Sequence, residues 1–237
     1  MSKDVLTLDY TFVGKHRPPA NGATAHGPFV KADTSAAGSP TVQSNDGLME
    51  LALDNTNEVQ NICLYWGDEL GLAIDKLIAI DIWAKITASV PAAVTASFGL
   101  ASARNDAITS MAEYLLFQLG GDNDVKVLAD DGANVLAAAA VGDTLSTTIK
   151  RFQFDFASGI KTQAAPSLSV GGKANVKCAV EKIVGSQQLL RPVLPNTSID
   201  LSNYAGGLQF FAQLQKTAAT SVATLSFERI RIQLRQG

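Results

Sequence analysis

The feature that most constrains this chain is a period of two. In Ile78-Ala79-Ile80-Asp81-Ile82-Trp83-Ala84-Lys85-Ile86 the isoleucines hold alternate positions while Asp81 and Lys85 hold the others. That spacing sorts apolar and polar chemistry onto the two faces of a β-strand, whereas a helix would scatter it around its circumference. Lys150-Arg151-Phe152-Gln153-Phe154-Asp155-Phe156 repeats the pattern, with its phenylalanines set against Arg151, Gln153 and Asp155. Residues 227–235 do the same, with Ile230, Ile232 and Leu234 inward and Arg229, Arg231, Gln233 and Arg235 outward.

Further strands are expected at 48–53, 59–66, 94–100, 114–119, 125–129, 176–183 and 208–215. Turn formers separate them, as in Asp54-Asn55-Thr56-Asn57, Gly120-Gly121-Asp122-Asn123 and Asp130-Asp131-Gly132. The alanine-rich stretch 134–141 reads as a short helix or a buried strand, and 105–113 as a turn of helix. Many strands and almost no helix define an all-β chain, an antiparallel two-sheet β-sandwich of jelly-roll style.

Residues 1–46 read differently. Val5-Leu6-Thr7-Leu8 and Tyr10-Thr11-Phe12 give a brief strand signal that Arg17-Pro18-Pro19-Ala20-Asn21-Gly22 breaks. The rest is rich in Gly, Ala, Ser, Thr and Pro, with Phe29-Val30 as its apolar anchor. The expectation is an extended N-terminal arm over 1–46 followed by one sandwich domain over 47–237.

Composition narrows the function classes. The 237 residues are 17% charged with a net charge of -3, below the roughly 25% usual for soluble domains. No basic excess is present to neutralise phosphates, so a nucleic-acid partner is not expected. No apolar run reaches the roughly 18 residues of a membrane span, and Met1-Ser2-Lys3-Asp4 does not open a secretory signal. The expectation is synthesis in the cytoplasm with no membrane partner.

Catalytic motifs are sparse. Both histidines, His16 and His26, lie in the arm, away from a rigid supporting shell. Ser169-Val170-Gly171-Gly172-Lys173 has the look of a phosphate loop, but position 167 is Ser where the motif opens on Gly, and Ala174 stands where a hydroxyl would hold Mg²⁺. Glycoside hydrolysis needs paired carboxylates about 5–9.5 Å apart, and Asp81, Asp155, Glu181 and Glu228 are single acids in their strands. The chain is therefore expected not to be an enzyme and to need no cofactor.

Asp122, Asp124, Asp130 and Asp131 are hard oxygen ligands in neighbouring loops and form a weak calcium candidate, the alternative being plain Asx turns. Cys63 and Cys178 fall in apolar strand patterns and read as buried free thiols. Asn196-Thr197-Ser198 matches a glycosylation sequon. In 208–215 the alternation places Phe211 outward among Gln209, Gln213 and Gln215, either as a contact residue or beneath a covering loop. Phe29, Val30, Phe211, Arg229 and Arg231 are the candidate protein-contact residues.

Several phrases carry a resemblance. The run from Glu50 to Asn61 leads into Leu64-Tyr65-Trp66-Gly67-Asp68, followed by the Ile78 strand and Phe98-Gly99-Leu100-Ala101. Ile199-Asp200-Leu201-Ser202-Asn203-Tyr204-Ala205-Gly206-Gly207-Leu208-Gln209-Phe210, Lys216 and the last strand close it. Over about 47–235 the chain resembles virion structural proteins of tailed bacteriophages that have a concanavalin-like or laminin-G-like jelly-roll. The resemblance implies a capsid decoration protein on the capsid exterior. Its partners would be the major capsid protein and other copies of itself, with the arm reaching across to neighbours. The alternative is a lectin-like carbohydrate-binding module of a tail or fibre, binding a glycan at the loops that hold Asp122 to Asp131.

Overall fold

A computed structural model of the chain describes residues 5–12, 28–68, 71–157, 160–161, 169–170, 172–184, 187–194, 197 and 199–235. Its strands are, in chain order, β1 (Val5–Thr11), β2 (Val30–Asp33), β3 (Thr41–Asn45), β4 (Leu48–Ala52), β5 (Glu58–Tyr65) and β6 (Leu72–Ala73). There follow β7 (Leu77–Ile86), β8 (Val94–Ala101), β9 (Tyr114–Gly120), β10 (Asp124–Asp130), β11 (Val135–Thr144) and β12 (Lys150–Asp155). The last are β13 (Ile160–Lys161), β14 (Ser169–Val170), β15 (Lys177–Val184), β16 (Gln187–Val193), β17 (Gly207–Ala219) and β18 (Thr224–Arg235).

Two antiparallel sheets carry the fold. The first runs β16-β15-β12-β7-β18-β4-β3 with β1 also on β18, and the second runs β11-β10-β9-β8-β17-β5-β2 with β6 on β17. The chain crosses repeatedly from one sheet to the other, so each sheet mixes early and late strands, the two-sheet jelly-roll expected from the alternation. Each strand singled out by period two is present.

The core lies where the two inner faces meet. Ile80, Ile82, Phe152, Phe154, Ile230 and Ile232 of the first sheet face Phe98, Phe117, Phe210 and Leu214 of the second, all essentially without solvent exposure. Phe117 stacks on Phe154 at 4.3 Å between centroids, and Phe98 meets Phe152 edge-on at 5.1 Å. Each such ring contributes roughly 1.5–3 kcal/mol by leaving water. Gly99 lets β8 close on β9: at φ 153°, a Cβ there would lie 2.3 Å from the carbonyl oxygen of Leu115.

The described parts of residues 1–46 are not an arm. β1 pairs with β18 from Val5↔Arg235 to Thr11↔Arg229, β2 pairs with β5, and β3 with β4. The reason lies in β18, which is longer than its partner: β4 covers only Thr224 to Phe227, and β1 takes the edge that would otherwise stay open. Phe12 and Phe29 are each 4% exposed, and Phe29 meets Tyr10, Trp66 and Phe210 edge-on at 5.3, 6.3 and 5.9 Å. Stretch 134–141 is neither helix nor buried strand but most of β11, an edge strand whose Val135 is 67% exposed. In 105–113 the helical turn is a short 3-10 segment, Ile108–Ser110.

Candidate functional site

Register across the first sheet builds its outward face. Trp83 on β7 stands directly opposite Arg151 on β12 and Arg229 on β18, and one step along, Asp81 stands between Gln153 and Arg231. The guanidinium carbons of Arg229, Arg151 and Arg231 lie 5.0, 5.3 and 5.5 Å from the centroid of the Trp83 ring, within cation-π range.

These arginines are themselves fixed. The Asp81 carboxylate, without solvent exposure, accepts Nε of Arg151 at 2.9 Å and Nε2 of Gln153 at 2.9 Å on one oxygen. Its other oxygen accepts Nε and Nη2 of Arg231 at 3.0 and 2.6 Å. Arg229 is clamped by both oxygens of Asp9 on β1, through Nε at 2.8 Å and Nη2 at 2.5 Å. That hydrogen bond holds the Asp9 carboxyl below the usual range and raises Arg229. The half-buried indole is thus framed by planar polar groups whose orientations are set.

Along the same face runs a second row, Lys85 on β7, Ser226 on β18 and Glu50 on β4, in direct register. It floors a cleft of about 250 Å³ lined by Glu50, Lys85, Thr87, Thr147, Thr224 and Ser226. Among the described residues the Glu50 carboxylate receives only neutral donors: Gln43, Asn45 and the Ser226 hydroxyl, at 3.3–3.4 Å. Among the described residues Thr87 Oγ1 is buried without a hydrogen-bond partner.

The outward face of the second sheet is closed by the chain itself. Ile108 and Met111 of the 102–113 loop pack with Phe211, Cys63, Tyr114 and Leu116 in a second apolar cluster. The loop is tied down by Arg104 N–H donating to Asp68 at 2.9 Å and by Gln213 donating to the carbonyl of Asp106 at 2.9 Å. Burial drives the Cys63 thiol up to about 12, and Cys178 likewise; both are free and buried.

The sequence-derived contact residues divide accordingly. Phe29, Val30 and Phe211 are 4%, 6% and 0% exposed, packed against Trp66 and Phe210, against the turn at Gly67, and beneath the 102–113 loop respectively; they are not free to meet a partner. Arg229 and Arg231 are on the surface, engaged by Asp9 and Asp81. Tryptophan 83 was not singled out from sequence, because its importance lies in its cross-strand neighbours.

The calcium candidates do not converge. Asp122 and Asp124 lie at one end of β10, Asp130 and Asp131 at the other, roughly 20 Å apart at about 3.4 Å per residue, so no one end of the sandwich gathers all four. Asp131 is buried, and N–H groups of Ala133, Asn134 and Asn203 surround its carboxylate at 2.6–3.0 Å. Those donors fill its lone pairs and outweigh burial, so its pKa is lowered even though burial, the largest influence, raises it. Asp130 caps Gly132 N–H, and Asp122 caps Asp124 N–H and faces Lys126 at 3.8 Å. Asp124 lines a cleft of about 320 Å³ with Asp143, but Lys150 and Lys182 already stand 2.6 and 3.8 Å from Asp143. Among the described residues no three His, Cys, Asp or Glu side chains are grouped to hold a metal ion. In the phosphate-loop-like stretch, Ser169–Val170 form β14, and Lys173 donates to the carbonyl of Tyr204 at 2.7 Å and faces Asp75 at 3.2 Å; Gly171 and both histidines lie outside the described residues.

No family model and no curated protein matches the chain. Solved structures do, at the level of the fold. The calcium-bound exoplasmic domain of VIP36 is 8% identical with a TM-score of 0.57, covering 96% of this chain and 90% of that one. A structure of endo-acting O-glycanases from human gut microbiota that initiate mucin breakdown is 9% identical with a TM-score of 0.57, covering 97% and 99%. A prokaryotic β-1,3-1,4-glucanase (lichenase) from a mouse hindgut metagenome is 9% identical with a TM-score of 0.54, covering 95% and 98%. The fold is therefore the concanavalin-like jelly-roll that lectin and glucanase domains share. The expectation that the chain is not an enzyme is overturned by these likenesses, since lichenase and O-glycanases are built on the same frame. Nothing in them supports a virion or capsid role.

Proposed function

We propose that the chain is a carbohydrate-binding jelly-roll protein whose ligand lies on the outward face of the first sheet, across Trp83 and the Lys85–Ser226–Glu50 row. The observation that carries this reading is the indole of Trp83 framed by Arg151, Arg229 and Arg231. A sugar ring offers an apolar C–H face and a rim of hydroxyls. A flat aromatic beside fixed planar donors and acceptors matches both, because the indole takes the apolar face while Arg, Gln and carboxylate groups meet the hydroxyls. The adjoining cleft supplies further hydroxyls and a carboxylate acceptor, Glu50. The shared fold with lectin and glycanase domains agrees with this reading, while the site is argued from this chain's own residues.

The test is a glycan array probed with the full chain and with Trp83→Ala. Reproducible binding to a defined set of glycans, lost in the variant, is the expected result; an array blank for the folded full chain would end this reading. The bound glycans, incubated with the protein and assayed for new reducing ends, report hydrolysis.

A further inference from the structure

Four cations stand on the outward face of the first sheet near the indole, and three have carboxylate partners: Arg151 and Arg231 share Asp81, and Arg229 has Asp9. Lys85 is the exception. Among the described residues it makes no hydrogen bond or ion pair, although it lines the cleft. The nearest carboxylate in its row is Glu50, with Ser226 between them. Two strand spacings separate the two backbones, about 10 Å. An ammonium and a carboxylate that face the same cleft without joining leave room for one sugar ring between them.

Resting on the carbohydrate reading above, we infer that the cleft takes an acidic glycan, one bearing a carboxylate or a sulfate. The anion seats on Lys85, the ring hydroxyls donate to Glu50, and the adjacent sugar lies against Trp83. Lys85 meets the anion as a point charge without losing a partner. The arginines could not do so without giving up Asp81 or Asp9. Glu50 in turn repels a second anion, so one acidic group per ring suits the row better than a densely charged polymer.

The experiment uses oligogalacturonate, its fully methyl-esterified form, and a sulfated galactan oligosaccharide of matched length, titrated into the full chain at low and moderate salt. The expected result is about tenfold tighter binding of the uronate than of its ester, the scale of one charge-assisted hydrogen bond. That preference should be retained in Lys85→Arg and lost in Lys85→Met, whose thermal melting should match the parent because the side chain lies outside the core. A matching preference for the sulfated oligosaccharide assigns the site to anionic sugars in general, and its absence restricts it to uronates. Equal binding of uronate and ester, or a preference unchanged in Lys85→Met, overturns the acidic-glycan inference while leaving a neutral-sugar site standing. Failure of all three oligosaccharides to bind, with a blank array, removes both.

Discussion

Trp83 and Arg229 face each other across the β7–β18 ladder, the guanidinium carbon 5.0 Å from the indole centroid. Neither was placed there by the core. Both lie on the side of the sheet turned away from it, where most surfaces carry mobile Lys and Glu, and both are held by an ion-pair frame that begins at Asp81 and Asp9. A surface with this degree of fixed orientation is expected of a recognition site, because groups already in place lose little freedom when a ligand arrives.

Asp81 is the keystone of that frame. Replacing it by Asn keeps the shape but turns a donor toward arginines that have only donors, and leaves two guanidinium charges without their counter-ion. Because the arginines are 26–27% exposed, water recovers part of the loss, and a destabilisation of about 2 kcal/mol is expected. Urea titration of Asp81→Asn reads it, and the same variant should weaken glycan binding even at temperatures where it is fully folded.

Gly99 has no room for a side chain. The contact of 2.3 Å that a Cβ would make with the Leu115 carbonyl is to backbone in the adjoining strand, and Phe154 closes the other side at 3.2 Å. Gly99→Ala should therefore cost about 2–4 kcal/mol, seen as a fall in thermal midpoint.

Acid should weaken the fold through Asp9 and Asp131. Both carboxyls have lowered folded-state pKa values, so each contributes stability above its ordinary pKa near 4, and that contribution is lost as pH falls through the lower folded value. Stability measured from pH 6 down to pH 2 should decline less steeply in Asp9→Asn and Asp131→Asn than in the parent. Because protein N–H groups occupy the Asp131 oxygens, the loss of stability in Asp131→Asn should be the same with calcium as with a chelator.

Cys63 and Cys178 should be silent to thiol reagents in the native state. Burial holds both near 12, so at pH 8 the thiolate fraction is negligible as well as enclosed. Both should react together with unfolding in denaturant; rapid native-state labelling of either would show that its covering layer opens.

The sandwich was legible because β7, β12 and β18 each carry one apolar and one polar face, and the period that sorts them is independent of their partners. What lies over a face was not. Period two put Phe211 outward correctly, yet the 102–113 loop lays Ile108 and Met111 upon it, a contact between segments with no sequence pattern in common. β1 escaped detection as part of the sheet because its partner is β18, and Asp9 and Arg229 meet across 220 positions. Likewise Asp81 was visible only as a lone acid, since Arg151 and Arg231 stand 70 and 150 positions away. The candidate site consists of register, and register between distant strands is set by the closed sheet as a whole.

The most direct measurement is isothermal titration of the strongest array ligand into the full chain and into Trp83→Ala. Stacking on the indole predicts binding at least about tenfold weaker in the variant, with a thermal midpoint only modestly lower, because Trp83 lies outside the apolar core and its loss removes surface cation-π contacts of roughly 0.5–1 kcal/mol each. Equal affinity in the two proteins would contradict the account and move the ligand off this face.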